Sequence, residues 1–188
     1  MNKGVTKVML FFTHNHGLTG RIISYVTCPL SDLFKRKMHT IPSHCGIGFF
    51  DVDKDDWLLF EAQYGMDWRG PFSMDELADW VDTGEGRWTH QIVLPEISIL
   101  KAKQLFQKAK SRLGIWDYAY LQCGFLYLWK RLRIPMVSSA KVTCSEAVGR
   151  LLYPVMDLRK LAHVNKFDCL TPVNIYRGLK NSNHLVTT

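Results

Sequence analysis

The sequence predicts an α+β fold, a single domain in which a central antiparallel sheet is packed by helices. Three observations carry this expectation. Apolar β-rich runs and helix-period stripes follow one another in mixed order, not in strict strand–helix alternation. The clearest hairpin signal consists of two β-rich runs around an acidic turn. The 188 residues are 47% apolar and 12% aromatic. That is enough for one sizeable core and excludes a disordered chain.

In chain order, Lys7 to Phe12 reads as a short apolar strand. Polar His14-Asn15-His16-Gly17 follows with no small-residue cleavage site, so the N-terminus reads as a strand and not as a signal peptide. Leu18 to Val26 reads as a helix, with Ile22, Ile23 and Val26 on one face and Gly17 and Pro29 at its bounds. Ser31 to Met38 is a basic, exposed segment. Ser43 to Phe50 and Trp57 to Gln63 form the hairpin, joined by Asp51-Val52-Asp53-Lys54-Asp55-Asp56. Ser73-Met74-Asp75-Glu76 is a capping box, with helix to about Val81, and Trp88 to Leu94 is another strand.

Ser98 caps a helix running to about Leu113, where Gly114 ends it. Its stripe is Ala102, Leu105, Phe106, Ala109 and Leu113. Tyr118 to Leu132 is apolar nearly all round and reads as a buried helix. Thr143-Cys144-Ser145-Glu146 is a second capping box and opens a helix at Cys144. No repeat or linker interrupts the chain, so residues 1–180 form one domain and 181–188 a polar tail.

No apolar run approaches the roughly 20 residues that span a bilayer. With no export signal, the expected location is the cytoplasm. The five cysteines are an odd number without close pairing, and no CxxC pair occurs. A disulfide framework or a structural zinc site is therefore not expected. The formal charge is +7, with basic runs at Lys35-Arg36-Lys37, Lys130-Arg131-Leu132-Arg133 and Arg159-Lys160. Such runs are most often solvated surface; the functional alternative is attraction to an anionic polymer or membrane surface. The six tryptophans are not interleaved with the basic runs, so there is no strong nucleic-acid signal. His14 and His16 share a side of an extended chain, but no spacing ties them to His44 and Cys45 as a metal site.

The chemistry centres on Cys144. In the first turn of a helix, unpaired amides and the positive end of the dipole favour the thiolate, which is the nucleophilic form. His44 and Glu61 supply a base and its orienting group. If the hairpin turn centres on Asp53 and Lys54, His44 faces Gln63 and Glu61 lies one diagonal away. If it centres one residue earlier, His44 faces Glu61 directly. Either register puts both side chains on one face, because the strand period is two. A one-residue slip in pairing parity would separate them across the sheet. Taken singly, each has a plainer role: a small buried hydrophobe, a hydrogen-bonded structural histidine, a surface charge. Together, Cys144, His44 and Glu61 are a nucleophile, a base and an orienter.

These residues resemble a known family. Ser43-His44-Cys45-Gly46-Ile47-Gly48, Leu59-Phe60-Glu61-Ala62 and Thr143-Cys144-Ser145-Glu146 are similar to the circularly permuted branch of the NlpC-type, papain-like superfamily. In the unpermuted cell-wall peptidases the cysteine helix comes first; here the order is histidine, polar residue, cysteine. Gly17 to Ile23, Gly65 with Pro71-Phe72-Ser73, Leu113 to Tyr118 and Leu170-Thr171-Pro172 also resemble the branch, in the correct order. Each motif is short, and the ordered set is what is specific. Trp116 stands where the family has a tyrosine whose hydroxyl lies near the nucleophile, and Tyr118 is the available substitute. The resemblance implies that one of these two is substrate-proximal or serves the oxyanion. The main-chain N–H of Cys144 is one oxyanion donor, and the second is unassigned.

The resemblance implies a cysteine hydrolase that cleaves an amide bond in a peptide-like, cell-wall type of substrate, without cofactor or metal. A lysis or entry protein of a virus of bacteria fits a cell-wall substrate without a signal peptide. Two alternatives stay open. One is a lipid or thioester acyl hydrolase or acyltransferase on the same fold, although relatives of that kind carry Asn-Cys-Glu-His where this chain has Thr-Cys-Ser-Glu. The other is a non-enzymatic module that binds an anionic partner, with an ordinary thiol at position 144.

Overall fold

A computed structural model describes residues 5–14, 42–62, 66–83, 88–93, 97–113, 115–118 and 141–182. It is α+β. Five strands form one antiparallel sheet: β1 (Val5–His14), β2 (His44–Asp51), β3 (Asp56–Ala62), β4 (Met66–Phe72) and, after helix α1 (Met74–Thr83), β5 (Trp88–Val93). Their spatial order is β4-β3-β2-β1-β5. Then come α2 (Ile99–Lys110), β6 (Asp117–Tyr118), β7 (Lys141–Val142), α3 (Cys144–Leu152), the short α4 (Leu158–Leu161), a 3₁₀ turn at Phe167–Cys169, and α5 (Pro172–Asn181).

β1 explains its own apolar run. It pairs with β2 on one side and β5 on the other, and both of its faces are covered. Val8, Leu10 and Phe12 enter the main core, with Cys45, Ile47 and Phe49 of β2 and Phe60 and Ala62 of β3. Met9 and Phe11 face a smaller core with Trp57, Leu59 and Leu77 of α1. A strand buried on both faces reads as a continuous hydrophobic stretch. It also runs beyond the expected Lys7–Phe12, because β2 supplies ladder partners from Val5 to Thr13 and β5 carries the pairing out to His14.

Helices α2 and α3 cover the main-core face. Ala102, Leu105 and Ala109 of α2 are buried, and Phe106 packs edge-on against Phe49 at 5.4 Å and against Trp68 at 5.3 Å. α3 is buried nearly all round, from Cys144 through Leu152 except Arg150. α5 adds Val173, Ile175 and Leu179, and its Tyr176 ring meets Phe12 edge-on at 5.5 Å.

Several expectations about element bounds are corrected. The helix capped by Ser98 ends at Lys110, not at Leu113. Ser111 Oγ donates back to the Lys108 carbonyl at 2.8 Å, and the chain tightens into a turn through Arg112 N–H to Ala109 O at 3.0 Å. Leu113 consequently falls out of the buried stripe. Tyr118 does not begin a helix. It lies in β6, paired in parallel with β7, Asp117 opposite Lys141 and Tyr118 opposite Val142. A short apolar run does not distinguish strand from buried helix, and here a pairing partner decided. Asn181 belongs to α5, whose end is capped by Ser182, so the first two residues of the expected tail are structured. The expected helix at 18–26, the basic segment at 31–38, most of the expected helix at 118–132 and residues 183–188 lie outside the described residues. No described helix is long and apolar enough to cross a membrane.

Candidate active site

The hairpin register is the one centred on Asp53 and Lys54. Gly46 faces Glu61, Phe50 faces Trp57, and Asp51 faces Asp56. His44 is therefore one diagonal from Glu61, on the same face of the sheet. The His44 Nε2–H donates to Glu61 Oε2 at 2.7 Å. Glu61 is 4% exposed and the His44 side chain 13%. The face is kept clear by Gly46. A Cβ there would overlap the Phe11 ring and the Phe60 carbonyl, and Phe11 packs 6.3 Å from the His44 ring.

The other oxygen of Glu61 is held by Arg69 of β4. Arg69 faces Leu59, Asp67 faces Glu61, and the guanidinium Nε is ion-paired with Glu61 Oε1. The carboxylate thus lies between a histidine and an arginine. Burying it without two such partners would be costly.

Cys144 is supplied by α3, which packs on β2. Thr143 is in extended conformation, and its Oγ1 accepts from Glu146 N–H at 3.2 Å. This places Cys144 as the first residue of α3, before the first intrahelical bond from Ala147 N–H to Thr143 O at 2.9 Å. Only half of the expected capping box forms. The Glu146 carboxylate turns along the helix to Arg150, with Nε at 2.9 Å and Nη2 at 2.7 Å, because the fourth residue onward offers a full charge. Ser145 Oγ donates to Leu170 O at 2.7 Å and ties the start of α3 to the segment before α5.

His44 and Cys45 are the neighbours that act on the Cys144 thiol. His44 and Cys45 are neighbours on opposite faces of β2, so the sulfur sits at the strand's first residues, where the two faces meet. Glu61 takes Nε2 of His44, which leaves Nδ1 for the sulfur. The Cys144 thiol is held well below its ordinary value. The Cys45 thiol beside it is the largest cause, and His44 adds to it against the opposing effect of burial. His44 is pushed up to about 10. Burial acts against its charged form, and Cys144 and Glu61 together outweigh burial. Both shifts favour a thiolate beside an imidazolium, in a line of alternating charge from Cys144 through His44 and Glu61 to Arg69.

All three expected catalytic residues therefore meet. Trp116 is partly buried against the main core, with the Arg112 guanidinium 5.2 Å over its ring. Tyr118 lies in β6 beside Val142, so its backbone is paired two residues before Cys144. Cys169 is partly exposed, while Cys28 and Cys123 lie outside the described residues. His14 is buried at the end of β1, and His16 lies outside the described residues. No group of three or more His, Cys, Asp or Glu among the described residues is arranged to hold a metal ion.

Two members of the site escaped the sequence. Arg69 shares a face with Glu61 across β3–β4, a relation that the short connection at residues 63–65 and the strand alternation imply once β4 is recognised. In the sequence Cys45 figures only in the histidine motif and beside a conceivable metal site; nothing local signals its effect on Cys144. A scan against protein-family models finds no match for the chain, and a search of curated proteins finds none either.

Proposed function

We propose that this chain is a cysteine hydrolase of the permuted papain-like type, cleaving an amide bond in a peptide-like substrate. The observation that carries the reading is the contact chain Cys144–His44–Glu61, with His44 bridging a thiol and a carboxylate in the buried start of β2. The chain order of histidine, acid and cysteine is that of the permuted branch.

The chemistry follows from the charges. The Cys144 thiolate attacks the substrate carbonyl, and the oxygen that becomes negative is met by the main-chain N–H at the start of α3. The His44 imidazolium gives its proton to the leaving amine, and a thioester to Cys144 remains. Neutral His44 then takes a proton from water, which attacks the thioester and frees Cys144. Glu61 keeps the imidazole oriented through both steps and stays ionised, held by Arg69.

A second reading, a lipid or thioester acyl substrate, uses the same nucleophile. It is favoured by α2, which carries Lys101, Lys103, Lys108 and Lys110, no acidic residue, and exposed Ile99 and Leu100 at its start. A basic surface with apolar tips suits a lipid interface. The plain binding-module reading expects an ordinary thiol at position 144 and draws no support from the contacts of Cys144.

The test is to incubate the full chain with a library of cell-wall-type peptides and, separately, with short acyl esters and thioesters. Trapped acyl-enzyme is read by intact mass, and products by chromatography. Peptide cleavage that disappears in Cys144→Ala and in His44→Ala supports the amidase. Acylation of Cys144 by esters and thioesters, with peptides untouched, moves the assignment to the acyl-transfer reading. No Cys144 adduct from any acyl donor rejects both.

A further inference from the structure

Two thiols meet in this site, and acyl transfer needs only one. Cys45 follows His44 in β2, and strand alternation turns its side chain to the helix-covered face. Cys144 opens α3, which packs on β2 in the same core. The side chain and the main chain of Cys45 both help to hold the Cys144 thiol below its ordinary value. Both residues are buried, at 0% and 3% exposure, and neither is in a disulfide. In acyl transfer Cys45 only supports the Cys144 thiolate and exchanges no electrons, and its neighbours along this face, Ile47 and Phe49, are purely apolar.

We propose that Cys45 and Cys144 form a two-thiol redox site, in which peroxide oxidises Cys144 and Cys45 resolves the product into an intramolecular disulfide. In the first step the Cys144 thiolate attacks one oxygen of the peroxide. The O–O bond breaks, the sulfur loses two electrons and becomes a sulfenic acid, and the second oxygen leaves as hydroxide, which takes the proton of the His44 imidazolium and departs as water. In the second step the Cys45 sulfur attacks the Cys144 sulfur. The S–S bond forms, the S–O bond breaks, and the hydroxyl leaves with the Cys45 proton as water. A small dithiol reverses the change by exchange, becoming a disulfide as both thiols return.

The geometry favours the second step over further oxidation. A sulfenic acid with a thiol in contact condenses to a disulfide, whereas an isolated one climbs irreversibly to sulfinic and sulfonic acid. The disulfide removes the nucleophile reversibly, so the site is switched off and protected at once. The proposal needs only a reactive Cys144 beside Cys45, whatever the substrate of the site.

The experiment is peptide mapping of the full chain after a few equivalents of hydrogen peroxide, with remaining thiols alkylated under denaturing conditions. The expected product is a Cys45–Cys144 linked peptide pair, a loss of about 2 Da, and recovery of Cys144 alkylation after dithiothreitol. In Cys45→Ser the link is absent and Cys144 gains about 32 and then 48 Da. The proposal is overturned if wild type reaches those acids as fast as the variant, if Cys144 links to another cysteine, or if it is not oxidised. The wild-type map stands without the variant. Hydrolase failure is read separately, in the acyl-donor assay.

Discussion

His44 and Glu61 sit one diagonal apart across the β2–β3 ladder, and their side chains close that gap to a 2.7 Å hydrogen bond. The pairing fixes the tautomer of the imidazole. It leaves Nδ1 as the ring nitrogen available to Cys144, whose charge raises the imidazole. The reactivity of the site follows from this one relationship.

The Cys144 thiolate should persist below the free-thiol range, and the imidazolium up to about pH 10. Alkylation of Cys144 by iodoacetamide should be nearly flat across neutral pH and fall only in acid. Hydrolysis should be bell-shaped, losing the thiolate on the acid side and the imidazolium proton donor above about pH 10. In His44→Ala the alkylation profile should move to higher pH. Site-resolved mass spectrometry across pH measures this. A wild-type profile that rises only near the free-thiol value of about 8.5 would sink the ion-pair assignment.

Glu61→Gln keeps the shape of the side chain and removes its charge. Orientation of His44 is lost in part, and turnover should drop roughly 10²-fold or more. Arg69 then faces a neutral amide in a partly buried position, so stability should fall by roughly 3 kcal/mol. Turnover and urea midpoints on the same preparation separate the two effects. A variant with wild-type turnover would remove Glu61 from the mechanism.

The ion pair also shapes stability against pH. His44 is raised from 6.5, so alone its contribution is complete below 6.5 and is lost as pH rises through about 10. Cys144 is lowered from 9.0, so alone its contribution is present above 9.0 and is lost as pH falls through its folded value. Between 6.5 and 9.0 the folded pair binds one proton and the unfolded pair also binds one, so the two slopes cancel. The pair therefore contributes a plateau there, falling away on both sides. In His44→Gln only the cysteine limb remains, and relative to wild type stability should climb with pH up to about 9.0. Urea midpoints at a series of pH values would reveal a parallel pair of curves if the assignment were wrong.

Gly46→Ala introduces a methyl group where the Phe11 ring and the Phe60 carbonyl already sit. Overpacking of this kind costs about 1–3 kcal/mol. The ring of Phe11 is close both to this position and to His44, so alkylation of Cys144 should slow as well as stability fall. Unchanged stability would mean that the strands separate easily at this point.

Much of the site is readable from local pattern. Alternation along Ser43–Phe50 and Trp57–Gln63 put His44 and Glu61 on one face, and the acidic turn narrowed the register to two choices. Thr143 announced a helix start at Cys144, and Ser73 another at Met74, where Ser73 and Glu76 bond reciprocally. These relations depend on backbone periods and on side chains three residues apart, which a sequence displays directly. Tertiary structure decided the rest. The turn between Asp51 and Asp56 selected one register. Glu146 gave up its capping bond for Arg150. Tyr118 became a strand because Val142 was there to pair with it. Above all, the meeting of Cys144 with His44 and Cys45 depends on how α3 docks on β2, and Arg69 reaches Glu61 only once β4 is laid beside β3. No local period encodes such contacts, because they join segments whose separation in the chain bears no relation to their distance in the folded core.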